Sequence, residues 1–353
     1  MGVHLGENFW EEENKISNDE NEVLEAPFSK EEIKVAVFES YAEGAPGPDG
    51  FSFLFYQTFW DIIKYDFMRL VRDFESGNLN LDRLNYAMIT LIPKEPDATH
   101  LKKFRPISLI NCSFKFFPKA LNNRLIKVAD RLICPNQTAF IKGRFILESV
   151  VAAHEIIHEI HRNKESGIIL KLDYEKAYDR VSWTFIDDML TSRGFGAKWR
   201  GWMKKVIQGG SICIRINDEN SCNFKPGKGL RQVDPLSPLM FNLVADIFTR
   251  MLLKAARHGL ISSLLPSAMD GGVISLQCAD DTLRFLEDNL DKANNLKWLL
   301  ICYEKMIGMK INYDKSDLLT IGVQEERVNE LSKVFCCKTG DFPIKYLGSL
   351  YIS

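Results

Sequence analysis

The stretch from Val273 to Leu286, V-I-S-L-Q-C-A-D-D-T-L-R-F-L, limits the possible folds of this chain more than any other. Two apolar, strand-like runs flank the adjacent carboxylates Asp280 and Asp281, which predicts a β-hairpin carrying acid at its tip. Neighbouring carboxylates repel, so a fold that keeps them near its core calls for a cation to neutralise them. Taken alone, the pair reads more readily as a solvated turn, because aspartate is a common turn residue. A second acid far upstream changes the balance. Ile168, Ile169, Leu170 and Leu172 make a short buried-strand run, and Asp173 stands where it ends. If the two segments pair, Asp173 and Asp280 face one another with Asp281 beside them. Such oxygens suit two Mg²⁺ ions held about 4 Å apart, the device for in-line phosphoryl transfer.

The chain has 353 residues, enough to bury a sizeable core in more than one lobe, and its 46% hydrophobic and 26% charged residues are those of a globular protein. No apolar run reaches the 18 or so residues of a membrane span, and no charged start followed by an apolar block marks a signal peptide. The expected location is nuclear or cytoplasmic, with no membrane partner. The eight cysteines show no C-x-x-C or metal-finger spacing, so reduced thiols are expected. A net charge of -2 conceals a polarity: residues 1–30 carry eight acids against Lys15 and Lys30, which leaves the remainder at +4. Ala98 to Ala129 holds Lys102, Lys103, Arg105, Lys115, Lys119, Arg124 and Lys127 with no acid. That run is either a solvated face or, with Phe104, Phe114, Phe116 and Phe117 interleaved, a groove for phosphates and stacked bases.

Along the chain, residues 1–28 read as an acidic, flexible lead. Ser29 and Glu32 form a capping box for a helix ending near Gly44, and A-P-G-P-D-G at 45–50 is a turn. A helix is expected over 54–74, then strands over 87–94 and 102–109. The next helix, 113–130, contains Pro118; a proline inside a helix costs about 3 kcal/mol, which predicts a kink or a late start. His154, Glu155 and His158 spell H-E-x-x-H on a helix over 149–162, but no third zinc ligand follows at a suitable spacing. Ser182 caps a helix ending before Gly194, and Trp199, Trp202, Met203 and Val206 form a core stripe. Ile212, Ile214 and Ile216 alternate into a hairpin that turns at 218–220 and returns at Phe224. A helix follows over 239–256, and another bears Leu296, Leu300 and Ile307, capped by Asp288 or Asn289 and ended by Gly308.

Three strings in one order, D-Y-E-K-A-Y-D-R-V at 173–181, G-L-R-Q-V-D-P-L-S-P at 229–238 and C-A-D-D at 278–281, resemble the reverse transcriptases of non-LTR, LINE-type retrotransposons, especially those of plants. The resemblance runs from about Ser29 onward. It implies an α+β right-hand polymerase with fingers at 29–162 and a palm at 163–353, the palm an antiparallel sheet backed by helices, and no thumb. It implies RNA-templated addition of deoxynucleoside triphosphates to a DNA primer, with Asp173 and Asp280 as principal Mg²⁺ ligands and Asp281 as a further one. By the same resemblance Arg105, with Lys94, contacts the nucleotide's phosphates, Tyr178 excludes a ribose 2′ hydroxyl, Gln232 lies against the nucleotide, and Lys315 protonates pyrophosphate. Arg231 supports template or fingers, N-Q-T-A-F-I-K-G-R at 136–144 lies near the template, and Y-L-G at 346–348 matches the primer-grip hairpin.

Several letters depart from the pattern, among them Gly44 for a basic residue and Cys278 for an aromatic, and two of them bear on activity. Val233 stands where the family has glycine, a poor exchange if the backbone there needs positive φ. Arg284 replaces an apolar residue, and it either finds an acid, such as Asp281, or distorts the hairpin. Both departures, with the missing thumb, favour an alternative: an inactive element remnant that at most binds RNA.

Overall fold

The structure, a computed structural model, describes residues 5–6, 9–81, 84–216, 219–265, 272–347 and 350–352. The chain begins with α1 (Asn18–Glu25), α2 (Lys30–Phe38), α3 (Phe53–Thr58), α4 (Trp60–Glu75), β1 (Tyr86–Pro93), β2 (Phe104–Ile110) and α5 (Cys112–Leu132). Next come α6 (Ile146–Asn163), β3 (Gly167–Leu172), α7 (Ala177–Arg180), α8 (Trp183–Ser192), α9 (Ala197–Gln208), β4 (Ser211–Ile216), β5 (Glu219–Asn220) and α10 (Ser237–Arg257). The last part holds β6 (Ser275–Cys278), β7 (Asp281–Leu286), α11 (Leu290–Ile307), β8 (Asp317–Ile321), α12 (Glu325–Phe335), β9 (Lys338–Thr339), β10 (Ile344–Tyr346) and β11 (Leu350–Ile352). The chain divides into two compact units, one of residues 5–129 and 181–240, the other chiefly of 130–180 and 241–353. Because the chain passes between them repeatedly, this division does not fall at residue 162: α6, which ends at Asn163, belongs with β3.

In the first unit, β1 and β2 pair antiparallel as expected, and β4 joins β1 in parallel, giving the order β2-β1-β4-β5. The turn expected at 218–220 falls partly on residues 217–218, outside the described residues, but β4 and β5 pair antiparallel and Phe224 bridges Ile212. The capping box at Ser29 forms both of its hydrogen bonds with Glu32. The helix expected over 54–74 is instead two, broken at Phe59. The late start expected from Pro118 needs correction: α5 begins at Cys112, before the proline, and runs through it to Leu132. Its Phe114, Phe116 and Phe117 are buried, and the rings of Phe116 and Phe117 pack against Phe67 and Phe74 with centroids 4.7 Å apart. They are core, so they offer no platform for bases.

Residues 9–28 of the acidic lead are folded rather than irregular. Ser17 and Glu20 form a second capping box, and Trp10, Ile16 and Leu24 are buried. Two contacts explain this order. Glu25 reaches the start of α9, where Oε1 accepts from the Trp199 N–H at 2.9 Å, a carboxylate satisfying the exposed donors of a helix N-terminus. Arg124, only 3% exposed, donates to the carbonyls of Leu24, Ala26 and Pro27 and to both oxygens of Glu32, with its guanidinium 3.9 Å over the Phe28 ring. Lys103, Lys119 and Arg124 thus spend their charge on Glu95, Glu39 and Glu32. The basic run is in part a structural lattice.

In the second unit a five-stranded sheet runs β6-β7-β3-β8-β9, antiparallel except at its β8–β9 edge. Side chains alternate between its faces. Ile169, Leu276, Leu283, Phe285, Leu319 and Ile321 face Ala153, Ile156, Ile157 and Ile160 of α6 in one core cluster. Thr282 and Arg284 point to the other face, where Arg284 meets Phe248 of α10. Asn289 caps α11 through its bond to the Lys292 N–H, and Gly308 ends it at φ 82°. β10 and β11 form the hairpin expected around Y-L-G, although Gly348 itself lies outside the described residues.

Candidate active site

The sequence-predicted residues fall into two sets, one in each unit. In the second unit, β3 and β7 pair with Leu172 opposite Thr282, so the next positions, Asp173 and Asp281, adjoin across the strands and share a face. β6 pairs with β7 through Cys278 opposite Asp281, which leaves Ala279 and Asp280 as a two-residue tip. Asp280 is exposed, while Asp173 and Asp281 are half-buried. Burial first, then the charges of Asp280 and Asp173, hold the Asp281 carboxyl above the usual carboxylate range against the pull of Lys171. A carboxyl raised by like charges is a site that a cation would relieve, and its oxygen donors are of the hard kind that magnesium takes. The donor chemistry therefore fits a divalent metal. As placed, the three side chains do not close on one point: among the described residues no group of three such ligands is gathered around a common centre. The same finding leaves H-E-x-x-H without a zinc cluster, with Glu155 and His158 exposed on α6.

The backbone around the acids is held by segments the sequence left unread. Gln137, 1% exposed, accepts through Oε1 from the Ala279 N–H at 2.9 Å and the Ala139 N–H at 3.1 Å, and Gln277 Nε2 donates to the Ala279 carbonyl. Thr138 N–H donates to the Gln277 carbonyl and Gln277 N–H to that of Asn136, so Asn136–Thr138 lies along β6 like an added strand. Arg144 ties that segment down through the carbonyls of Ile133, Cys134 and Gln137. The tip needs such bracing because Ala279 sits at φ 55°, a left-handed conformation that favours glycine. On the other side Ser316 Oγ accepts the Asp173 N–H at 3.1 Å, and the Asp173 carbonyl takes the Asn312 N–H at 2.8 Å. Lys315, in the same K-I-N-Y-D-K-S segment, is exposed. Tyr178 stacks flat on Phe241 with ring centroids 4.6 Å apart, and burial, then the Asp280 charge, pushes its hydroxyl well above the ordinary value.

Arg284 does neither of the things expected of it. The β6–β7 register is regular through Ser275 opposite Arg284, so the hairpin is not distorted. Nor does it meet Asp281: three positions apart on a strand, the two side chains point to opposite faces. The guanidinium is 1% exposed, lies 4.6 Å over the Phe248 ring, and none of its nitrogens has a hydrogen-bond partner.

In the first unit, Ile92 pairs with Arg105 and Pro93 with Phe104, which sets Lys94 and Arg105 together at the looped end of the β1–β2 ribbon. Both are exposed. The Lys94 N–H donates to the Lys103 carbonyl and its ammonium to that of Lys102. Gln232 is half-buried on the loop before α10. That loop is pinned at both ends. Arg231 donates to the Asn85 side chain and the Gly209 carbonyl, so it braces β1 and β4 rather than reaching outward. The buried Asp234 accepts from the Leu236 and Ser237 N–H groups, capping α10, and burial raises its carboxyl. Between them Val233 is 60% exposed and held at φ 72°. The feared conformation is the one present, and a β-branched residue at positive φ is a rare outlier.

The antiparallel sheet with acids at the ends of neighbouring strands, packed against helices, is the palm of a right-hand polymerase. The solved structure of apo telomerase from Candida tropicalis superposes with a TM-score of 0.52 over 83% of this chain and 58% of its own, at 11% identity, which supports that fold. The family described as reverse transcriptase (RNA-dependent DNA polymerase) matches residues 92–350, and the chain belongs to it. The uncharacterized 149 kDa protein of transposon TX1 from Xenopus laevis is 30% identical over 351 residues, 98% of this chain and 26% of its own length. The Pol polyprotein of element R2 from Nasonia vitripennis is 29% identical over 226 residues, 64% of this chain and 21% of its own. The Pol polyprotein of element R2DM from Drosophila melanogaster is 26% identical over 313 residues, 86% of this chain and 28% of its own. The chain is a reverse transcriptase domain of the non-LTR retrotransposon kind, and it spans less than a third of each of these animal relatives. Among the described residues no helix is long and apolar enough to cross a membrane.

Proposed function

We propose that this domain extends a DNA primer with deoxynucleotides on an RNA template. The observation that carries the reading is the register placing Asp173 beside Asp281 at the ends of β3 and β7, with Asp280 at the tip between β6 and β7. Asp173 and Asp280 would be the principal ligands of two Mg²⁺ ions, with Asp281 in support. Bound there, the ions supply charge neutralisation at the phosphates and acidify the attacking hydroxyl. Arg105 donates to the nucleotide's phosphates through a planar, permanently charged fork, with Lys94 as a point charge beside it. Tyr178, stacked on Phe241, excludes a 2′ hydroxyl by its bulk. Gln232 contacts the nucleotide, and Lys315 gives a proton to the departing pyrophosphate. In this reading the β1–β2 ribbon serves as fingers and the five-stranded sheet as palm. The plant-type affiliation rests on the three motifs alone, and the place of work is nucleus or cytoplasm, wherever template and primer meet.

A second reading is favoured by Val233 at φ 72° and by the unpartnered Arg284: a fold that keeps its shape and an RNA-binding surface but no longer polymerises. Primer extension on poly-rA with Mg²⁺ separates the two. Incorporation in the chain or in Val233→Gly, lost with Asp280→Asn and Asp173→Asn, supports polymerisation. Retention of RNA with no incorporation in any of them supports the remnant.

A further inference from the structure

The residue that fits the polymerase reading least is Arg284. Its guanidinium, 1% exposed, lies over the Phe248 ring and near Tyr174 and Tyr303, whose hydroxyls are also buried. No acid is paired with it among the described residues. A guanidinium only donates, and each tyrosine oxygen brings a proton of its own, so the pocket holds more donors than acceptors. Beside Arg284, between Leu252, Ile261, Ser262 and Leu296, lies a cavity of about 10 Å³. That is room for the centre of one water-sized sphere. The Ser262 hydroxyl, another buried group without a partner, lines it.

We propose that this cavity is a binding site for one small monovalent anion of the chloride class, held by Arg284 and the Ser262 hydroxyl, the two polar side chains that line it. A single anion would supply both of the missing quantities, a counter-charge and an acceptor. Water would supply only the acceptor. The apolar walls and small volume exclude phosphate, sulfate and carboxylates of any length. The site lies on the sheet face opposite to Asp281, so it is independent of whether the domain polymerises.

Thermal unfolding of the 353-residue chain, in chloride or in gluconate at equal ionic strength, tests the site. The midpoint should rise by about 2 °C for each tenfold increase of chloride above its Kd, with bromide acting alike. Gluconate should give no such rise, and Arg284→Met should abolish the difference between the salts. Equal midpoints in chloride and gluconate, or an undiminished chloride response in Arg284→Met, would overturn the proposal. If Arg284→Met fails to fold, crystals soaked in bromide decide it: an anomalous peak against Arg284 supports the site, and its absence there refutes it.

Discussion

Val233→Gly should make the protein more stable, against the usual direction of a glycine substitution. Val233 is held at φ 72° between two anchors, Arg231 on Asn85 and Gly209, and Asp234 on the start of α10. A left-handed backbone costs an L-residue about 1–2 kcal/mol, and side chains branched at Cβ sit at the upper end. Glycine gives back about 0.5–1 kcal/mol through its greater freedom in the unfolded chain. Little apolar burial is lost, because the valine is 60% exposed. The balance is a gain of about 1 kcal/mol by difference. Urea unfolding should show a higher midpoint with an unchanged m-value. Val233→Ala, which keeps Cβ but loses the branch, should recover less than half as much. A Val233→Gly protein that unfolds at lower urea than the parent, or an alanine variant at least as stable as the glycine one, would refute the strain argument.

Other substitutions address the supports. Arg124→Ala leaves Glu32 and the Leu24, Ala26 and Pro27 carbonyls without their donor, so it should cost about 3–5 kcal/mol and open residues 9–28 to limited proteolysis. Gln137→Ala strands the Ala279 and Ala139 N–H groups at about 1–3 kcal/mol each, and amide exchange at Ala279 should accelerate accordingly. Asp281 holds its proton to a higher pH in the folded than in the unfolded chain. Native stability therefore falls as pH rises from the ordinary carboxylate range through the raised folded value. Asp281→Asn should be the more stable protein at neutral pH, with the gap closing below about pH 3.9, and Mg²⁺ should raise the unfolding midpoint of the parent more than that of this variant.

Much of the palm was legible because its signals are local. The alternation in Val273–Leu286, the apolar run before Asp173 and the helix caps at Ser29, Ser182 and Asn289 each depend on near neighbours. What was missed depends on partners far along the chain. The phenylalanines of α5 follow a basic run and suggest a binding face, yet the rings of Phe67 and Phe74 claim them. The acidic lead carries too little apolar periodicity to announce a fold, and its order comes from Arg124 and from the start of α9. Gln137 had no signal beyond its place in a motif of unread chemistry. The failure of Arg284 to meet Asp281, by contrast, was available from parity: an odd separation on a strand puts two side chains on opposite faces.

The hydrogen bond from Ala279 to Gln137 joins residues 142 positions apart. It has a practical consequence for anyone dissecting the molecule. A fragment begun at Asn163 would contain every aspartate of the palm and still lack Asn136–Thr138, so the edge of β6 would lie bare and the acid tip would lose the amide that fixes its shape. Such a piece would be left with an open strand edge, the usual starting point for aggregation. The smallest part that carries an intact acid hairpin therefore reaches back at least to Asp130, the residue Arg144 grips.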